Sequence, residues 1–212
     1  FPLVTSARTA EDMIKFCEWI EPNFGAINLE DIEKPKCFDV LEGARKKLNI
    51  CVWHDDQQGT ALVCLAGLIN ALKIVGKGLG EIKVAMVGAG AANISVFRYL
   101  VKAGVRPGNV VMVDSKGIIG PHRRDVIEGG DPWKREVALS TNAEGAEGGI
   151  PEALRGADVC ISMSRPGPGV IKPDWVRAMA DDAIVFACAN PIPEIWPWEA
   201  KEAGARVVAT GR

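Results

Sequence analysis

The sequence has no excess of charge to offer a polyanion. Lys and Arg number 25 against 27 Asp and Glu, the formal net charge is -2, and no basic patch stands out along the chain. Nucleic-acid binding rests on such a patch, so no nucleic-acid partner is expected. Metal-ligand cysteine spacing is also lacking. The six cysteines, at 17, 37, 51, 64, 160 and 188, show neither CxxC nor CxxH, and most sit in apolar segments where a thiol behaves as a small hydrophobe. That excludes a zinc site and points to a reducing, cytoplasmic compartment. Long apolar runs are scarce: "ALVCLAGLINALKIVG" carries Asn70 and Lys73, is short for a bilayer, and reads as a buried helix. No signal peptide is visible, so no membrane is expected either. Apolar residues nonetheless make up 48% of the 212, enough for a packed core. The chain opens on Phe without a methionine and stops just after a strand-like segment, so both ends read as cut.

Along the chain, strand and helix patterns alternate. Thr9-x-x-Asp12 resembles a capping box before Met13, Phe16, Cys17 and Ile20 at helical spacing. "GAINL" and "NICVW" read as strands around the helix "CFDVLEGARKKL". A long apolar helix is expected from Gln57 to about Val75. Beyond it "IKVAMVGAG", "NVVMVD", "ADVCISM", "AIVFACAN" and "ARVVAT" read as strands, with helices between them. Residues 115–150 are polar and Gly-rich, with one helix expected near Trp133. Continuously apolar strands alternating with helices predict an α/β fold: a doubly wound, mostly parallel sheet, Rossmann-like, from about residue 57 onward. The first 56 residues read as the tail of a neighbouring domain or an edge of this one.

"VAMVGAGAAN" runs from a strand into a helix and gives G-x-G-x-x-N from Gly88 to Asn93. Gly88 permits a tight turn, and Gly90 lets backbone approach a pyrophosphate at the helix N-terminus. Asn93 stands, bulkier, where a third small residue usually aids packing. Asp114 closes the next strand, where a dinucleotide-binding unit places the carboxylate that takes the ribose hydroxyls. This context predicts a nicotinamide dinucleotide. Asp114 would repel a 2′-phosphate and favours NAD. Arg123 and Arg124 could reverse that, but "GPHRRD" reads as a solvated loop, which leaves a slight lean to NAD over NADP.

"WHDDQQGTA" sets Asp55 beside Asp56 directly before the apolar helix. A helix cap explains one aspartate well and two poorly. A second acidic pair, Glu30 and Asp31, follows "GAINL". Either pair alone reads as a cap or an acidic loop. Together, at strand ends near a dinucleotide site, they form a candidate site for a hard cation such as Mg²⁺ or Mn²⁺.

"GAINLEDI", "WHDDQQGTA", "VGAGAAN", "VDSKGII" and "FACANPIPEI", in this order, resemble malic enzyme in its bacterial and archaeal form, over essentially the whole chain from residue 24. The resemblance implies oxidative decarboxylation of malate to pyruvate and CO₂ with NAD or NADP and a divalent metal, by a homodimer or higher homo-oligomer. It implies metal ligands at Glu30, Asp31 and Asp56, with Asp55 in the catalytic hydrogen-bond network. It puts a cofactor-contacting threonine at Thr60, the pyrophosphate loop at Ala89, Gly90, Ala91 and Ala92, and an asparagine lining the nicotinamide and substrate pocket at Asn190. Residues 1–56 would then close an N-terminal domain carrying the metal motif, and residues 57–212 would be the cofactor domain. The family's acid–base tyrosine and lysine are unmatched: Tyr99 falls in a helix where packing is its expected role, and Lys15 on a surface helix. The later paired-asparagine segment is also unmatched, and Gln58 stands where bacterial members often have histidine. The chain by itself is therefore expected to be inert with malate. The rival readings are another Rossmann dehydrogenase, acting on an amino acid or folate, and a dinucleotide-binding regulatory module.

Overall fold

The computed structural model describes residues 1–211. The first helix, α1, spans Ala10–Ile20 and begins as its sequence predicts, with the Thr9 side chain accepting from the Asp12 N–H. It is followed by β1 (Ala26–Leu29), α2 (Lys36–Lys47) and β2 (Cys51–His54). The two strands pair in parallel, Leu29 opposite His54, as a sheet of their own. Ile14 and Cys17 of α1 meet Val40, Leu41 and Ala44 of α2 and Val52 of β2 in a small core. Helix α2 also faces the other way, because Cys37 and Phe38 belong to the main core.

The chain then makes a wide π-turn over Asp55–Gly59 before α3 (Thr60–Val75). This differs from the sequence expectation of one helix capped by Asp56. The amides decide it: Gln58 Oε1 accepts the His54 N–H at 3.1 Å, and Gln57 Nε2 donates to the Cys37 carbonyl at 3.1 Å. Both amides are buried and hold the turn open. Helix α3 is also less buried than its composition predicts. Ala61, Cys64, Leu68, Ala71 and Leu72 pack inward, whereas Leu62, Val63, Ile69 and Ile74 are exposed. Counted through the π-turn, Asp55–Val75 is 21 residues and apolar enough to cross a membrane by length and composition.

The main sheet starts with β3 (Val84–Val87), which leads through α4 (Ala91–Ala103) to β4 (Val110–Asp114) and β5 (Gly117–Ile118). Next come α5 (Arg124–Ile127), α6 (Pro132–Ser140), α7 (Ile150–Leu154) and β6 (Val159–Ser162). The chain continues through α8 (Pro173–Arg177), β7 (Ile184–Ala187), α9 (Pro197–Glu202) and β8 (Val207–Thr210). The order is β5-β4-β3-β6-β7-β8, parallel except for β5, which turns back on β4. Side chains alternate across a strand, and β3 shows the result. Val84 and Met86 face a core with Leu68 of α3 and Phe97 and Leu100 of α4. Ala85 and Val87 face a second core with Leu154, Val176 and Ala200 of the helices opposite. All four β3 residues are buried, which is why the strand reads as continuously apolar. Residues 115–150 contain more than the one expected helix. β5 and α5 are two and four residues long, too short to leave a periodic signal.

Candidate functional site

The turn from β3 into α4 is built by three residues with separate tasks. Gly88 has φ +102°, and a Cβ there would lie 2.4 Å from the Met163 carbonyl oxygen, so only glycine fits. At Gly90 a Cβ would meet nothing within 4 Å, so this backbone faces open space. No side chain caps α4, whose first-turn N–H groups are left for an anion. Asn93 is completely buried, and its Nδ2 donates to the carbonyls of Val87 and Gly88, each at 2.9 Å. The bulkier third position of the fingerprint is thus a clamp on the loop. A side-chain amide three residues after the second glycine, in the first turn of the helix, is the signal that would have found it. The turn fits a pyrophosphate: open backbone, free donors and a helix N-terminus meet there.

A cavity of about 980 Å³ opens beside it, over the carboxyl ends of β3 and β4. Ser164 and Arg165, just after β6, also line it, and between β3 and β6 the strand order reverses, the expected ligand position in an open α/β sheet. Gly88 and Asp114 line it; Thr60, Ala89, Gly90, Ala91, Ala92 and Asn190 lie outside its lining. Asp114 Oδ1 accepts the Lys116 N–H at 2.9 Å and Arg123 Nη1 at 3.1 Å, and Oδ2 accepts Lys134 Nζ at 2.9 Å. Burial disfavours the Asp114 charge, but these hydrogen bonds outweigh it and hold the pKa below the usual carboxylate value. Arg123 is therefore not in a solvated loop. Its side chain is 12% exposed and bridges Asp114 and Asp125. Arg124 is exposed, as expected.

The carboxylates gather for a simple reason. β1 and β2 run side by side in the same direction, so Glu30 and Asp31 leave the sheet at the same end as Asp55 and Asp56. The Asp31 N–H donates to Asp56 Oδ2 at 2.9 Å, and Asp31 adopts φ +56°. Glu30 turns aside, accepting from Asn28 Nδ2 at 3.4 Å. Asp55 folds back over its own turn, leaving no room for a side chain at Gly59. The oxygen donors suit a hard cation in type and placement, but among the described residues no three of His, Cys, Asp or Glu converge into a ready cage. Behind them His54 is completely buried, with neither ring nitrogen hydrogen-bonded and Nδ1 3.8 Å from Asp56 Oδ2. Burial lowers its pKa against the pull of the two aspartates.

Two residues that the sequence reading missed join these parts. Lys34 Nζ donates to the Ala89 carbonyl at 2.8 Å and pairs with Asp131 Oδ2 at 2.9 Å, tying the acidic segment to the glycine loop. Glu194, within "NPIPEI", is completely buried. Its Oε1 accepts from Ser162 Oγ at 2.7 Å and from the Ser164 N–H at 2.8 Å, and Oε2 accepts the Ala189 N–H at 3.0 Å. It fixes the loops after β6 and β7, including Asn190, which stands exposed beside a cis Asn190–Pro191 bond. Tyr99 packs against the main core, and Lys15 lies on the surface paired with Glu18.

The family model "Malic enzyme, NAD binding domain" matches residues 57–211. The chain belongs to the malic enzyme family. It is 47% identical over 212 residues to the NAD-dependent malic enzyme of Geobacillus stearothermophilus, covering 100% of this chain and 42% of that one. To the NADP-dependent malic enzyme of Halomonas elongata it is 43% identical over 194 residues, or 91% of this chain and 44% of that one. The solved malic enzyme from Pyrococcus horikoshii superposes with a TM-score of 0.94 at 52% identity, covering 100% of this chain and 49% of that one. The chain spans about half the length of the curated relatives it matches. The expected doubly wound, Rossmann-like fold is thus also that of the family.

Proposed function

We propose that this protein is a malic enzyme that oxidises malate with NAD(P) and releases pyruvate and CO₂ in a reaction dependent on Mg²⁺ or Mn²⁺. One observation carries the reading: the acidic ends of β1 and β2 are fastened to the dinucleotide loop through Lys34 and the Ala89 carbonyl. A hydride acceptor and a cation would then lie within reach of one small hydroxy acid. When bound, the nicotinamide accepts hydride and the metal polarises the C2 oxygen and steadies the enolate. The chain's own residues bind and orient. Asp31 and Asp56, with Glu30 swung inward, would hold the cation, and Asp55 would support proton transfer beside them. The α4 N-terminus, with Ala89 to Ala92, would receive the pyrophosphate. Thr60, at the start of α3, and Asn190, in the loop after β7, would contact cofactor and substrate.

On this reading residues 1–56 close an N-terminal substrate and metal domain, and 57–212 form the cofactor domain; Arg212 lies outside the described residues. We place the reaction in the cytoplasm, supported by six free cysteines. We propose a homodimer or higher homo-oligomer, supported by the resemblance and by the exposed apolar face of α3. The test is malate-dependent reduction of NAD⁺ or NADP⁺ by the full-length protein with Mn²⁺, and its loss on chelation. Cofactor binding with no malate-dependent reduction would leave a dinucleotide-binding module instead.

A further inference from the structure

Lys34 belongs to the segment that carries the acidic pair, yet its side chain reaches across to the glycine loop. It lies three residues after Asp31, a span of at most about 11 Å of chain. Its Nζ donates to the Ala89 carbonyl at 2.8 Å and pairs with Asp131 Oδ2 at 2.9 Å. Asp131 is the N-cap of α6, where its Oδ1 accepts the Trp133 and Lys134 N–H groups at 3.1 Å each. Burial opposes the Asp131 charge, but the Lys34 hydrogen bond and the α6 N–H groups outweigh it and hold the carboxyl below its usual pKa. The Lys34 side chain is 18% exposed, so this is a partly buried bridge rather than a surface pair.

The bridge orients more than it anchors. A peptide unit is planar and trans, so holding the Ala89 carbonyl fixes the whole Ala89–Gly90 plane, and Gly90 is the residue that opens α4. The acidic pair and the glycine loop are thereby set at one distance from each other, by a three-residue span and a single side chain. Anchoring has a second source. Four residues beyond Lys34, Phe38 of α2 packs against Trp133 of α6 with ring centroids 4.6 Å apart, and Arg98 of α4 lies 4.4 Å from the centroid of the Trp133 ring. That contact persists without Lys34, so loss of the lysine loosens the spacing and leaves the fold.

We infer that Lys34 is a positioning residue for hydride transfer: it holds the glycine loop at a fixed distance from the carboxylates that would bind the cation, without being a ligand of cofactor or cation itself. The inference rests on the proposed function, which places cofactor and cation on either side of this bridge. Two of the three Nζ donors are engaged by protein acceptors, which suits a strut better than a ligand. Misplacing reacting groups by about 1 Å can cost about 10²-fold in rate while each site alone still binds.

The test uses Lys34→Met in the full-length protein. NADH binding by nucleotide fluorescence and Mn²⁺ binding by electron paramagnetic resonance should each stay within about threefold of the parent, and the melting temperature should fall by no more than about 4 °C. The kcat for malate oxidation should fall by about tenfold to a hundredfold, and the primary isotope effect with malate deuterated at C2 should rise as hydride transfer becomes the slow step. Lys34→Arg keeps a cation with donors for both acceptors and should recover at least part of the loss. Asp131→Asn keeps an N-cap oxygen for α6 but removes the charge that steers Lys34, so it should shift kcat and the isotope effect in the same direction. The double variant should be no slower than Lys34→Met. The parent's kcat and isotope effect in Lys34→Met, or in Asp131→Asn where Lys34→Met does not fold, overturn the inference. So does a loss of about tenfold or more in affinity for NADH or Mn²⁺, which would make the lysine a ligand. A parent that binds neither, or binds both and leaves malate unoxidised, removes the proposed function itself.

Discussion

The backbone N–H of Asp31 points at Oδ2 of Asp56 from 2.9 Å, across the ends of two parallel strands. Twenty-five residues apart in sequence, the two acidic segments are held within one hydrogen bond of each other. Asp31 itself takes a left-handed backbone, φ +56°, at this junction.

Metal affinity should therefore depend on both segments. Asp56→Asn and Glu30→Gln each remove a charge from the oxygen donors while leaving an oxygen in place, so the fold should persist. Mn²⁺ affinity, followed by the electron paramagnetic resonance of free Mn²⁺, should fall by about tenfold or more in each. Unchanged affinity in both variants would return Asp56 to an ordinary hydrogen-bond acceptor in a turn.

The two loop glycines should separate binding from folding. A Cβ at Gly90 meets no protein atom, so Gly90→Val should unfold at nearly the parent temperature yet lose most NAD(P)H binding, read by nucleotide fluorescence. A Cβ at Gly88 would strike the Met163 carbonyl from a left-handed backbone, so Gly88→Ala should lose about 1–3 kcal/mol of stability. If Gly90→Val binds as the parent does, the loop is a turn and nothing more.

Glu194 should matter to the fold before it matters to chemistry. Glu194→Gln puts an amide N–H₂ where a carboxylate oxygen receives an N–H from Ala189 or Ser164. Two donors then face each other in a completely buried place. Urea unfolding should show a loss of about 1–3 kcal/mol. A variant as stable as the parent would mean that water reaches these groups.

The 212-residue chain by itself should bind cofactor and Mn²⁺ and still not oxidise malate. The resemblance implies a tyrosine and a lysine for the acid–base steps, and the chain's Tyr99 and Lys15 are placed elsewhere. Tyr99 packs on the main core, and Lys15 pairs with Glu18 at the surface. Each missing acid–base group costs about 10² to 10⁴ in rate. Measurable malate-dependent NAD(P)H formation by the isolated chain would show that residues within it carry the protons.

What was legible in the sequence was what repeats locally. β3, β4, β6 and β7 could be read from their apolar runs because both faces of the sheet are covered, and α4 from its glycine stop at Gly104. The glycine loop and both acidic pairs lie at strand ends, so the motifs fell where the fold put them. Contacts that close over long stretches of chain left no trace. Lys34 and Ala89 lie 55 residues apart, and Lys134 and Asp114 lie 20 apart. No periodicity relates such partners. Arg123 was misread because polar neighbours look the same in a solvated loop and around a part-buried ion pair. The exposed face of α3 was hidden for the converse reason: apolar composition records what a helix can bury, not how much of it is covered.

The wide turn at Asp55–Gly59 has a consequence for how the two adjacent aspartates can evolve. With one more residue than an α-turn, it lets Asp55 fold back over Gly59 while Asp56 looks outward to Asp31. Deleting any one of the five residues would restore ordinary helical winding and rotate what precedes it by about 100°. The side chains before the deletion would all turn by that angle, and the residue facing β1 would be a different one. Length, as much as composition, is what this segment has to keep: a substitution there can be tuned, but a shift of frame turns Asp56 away from Asp31.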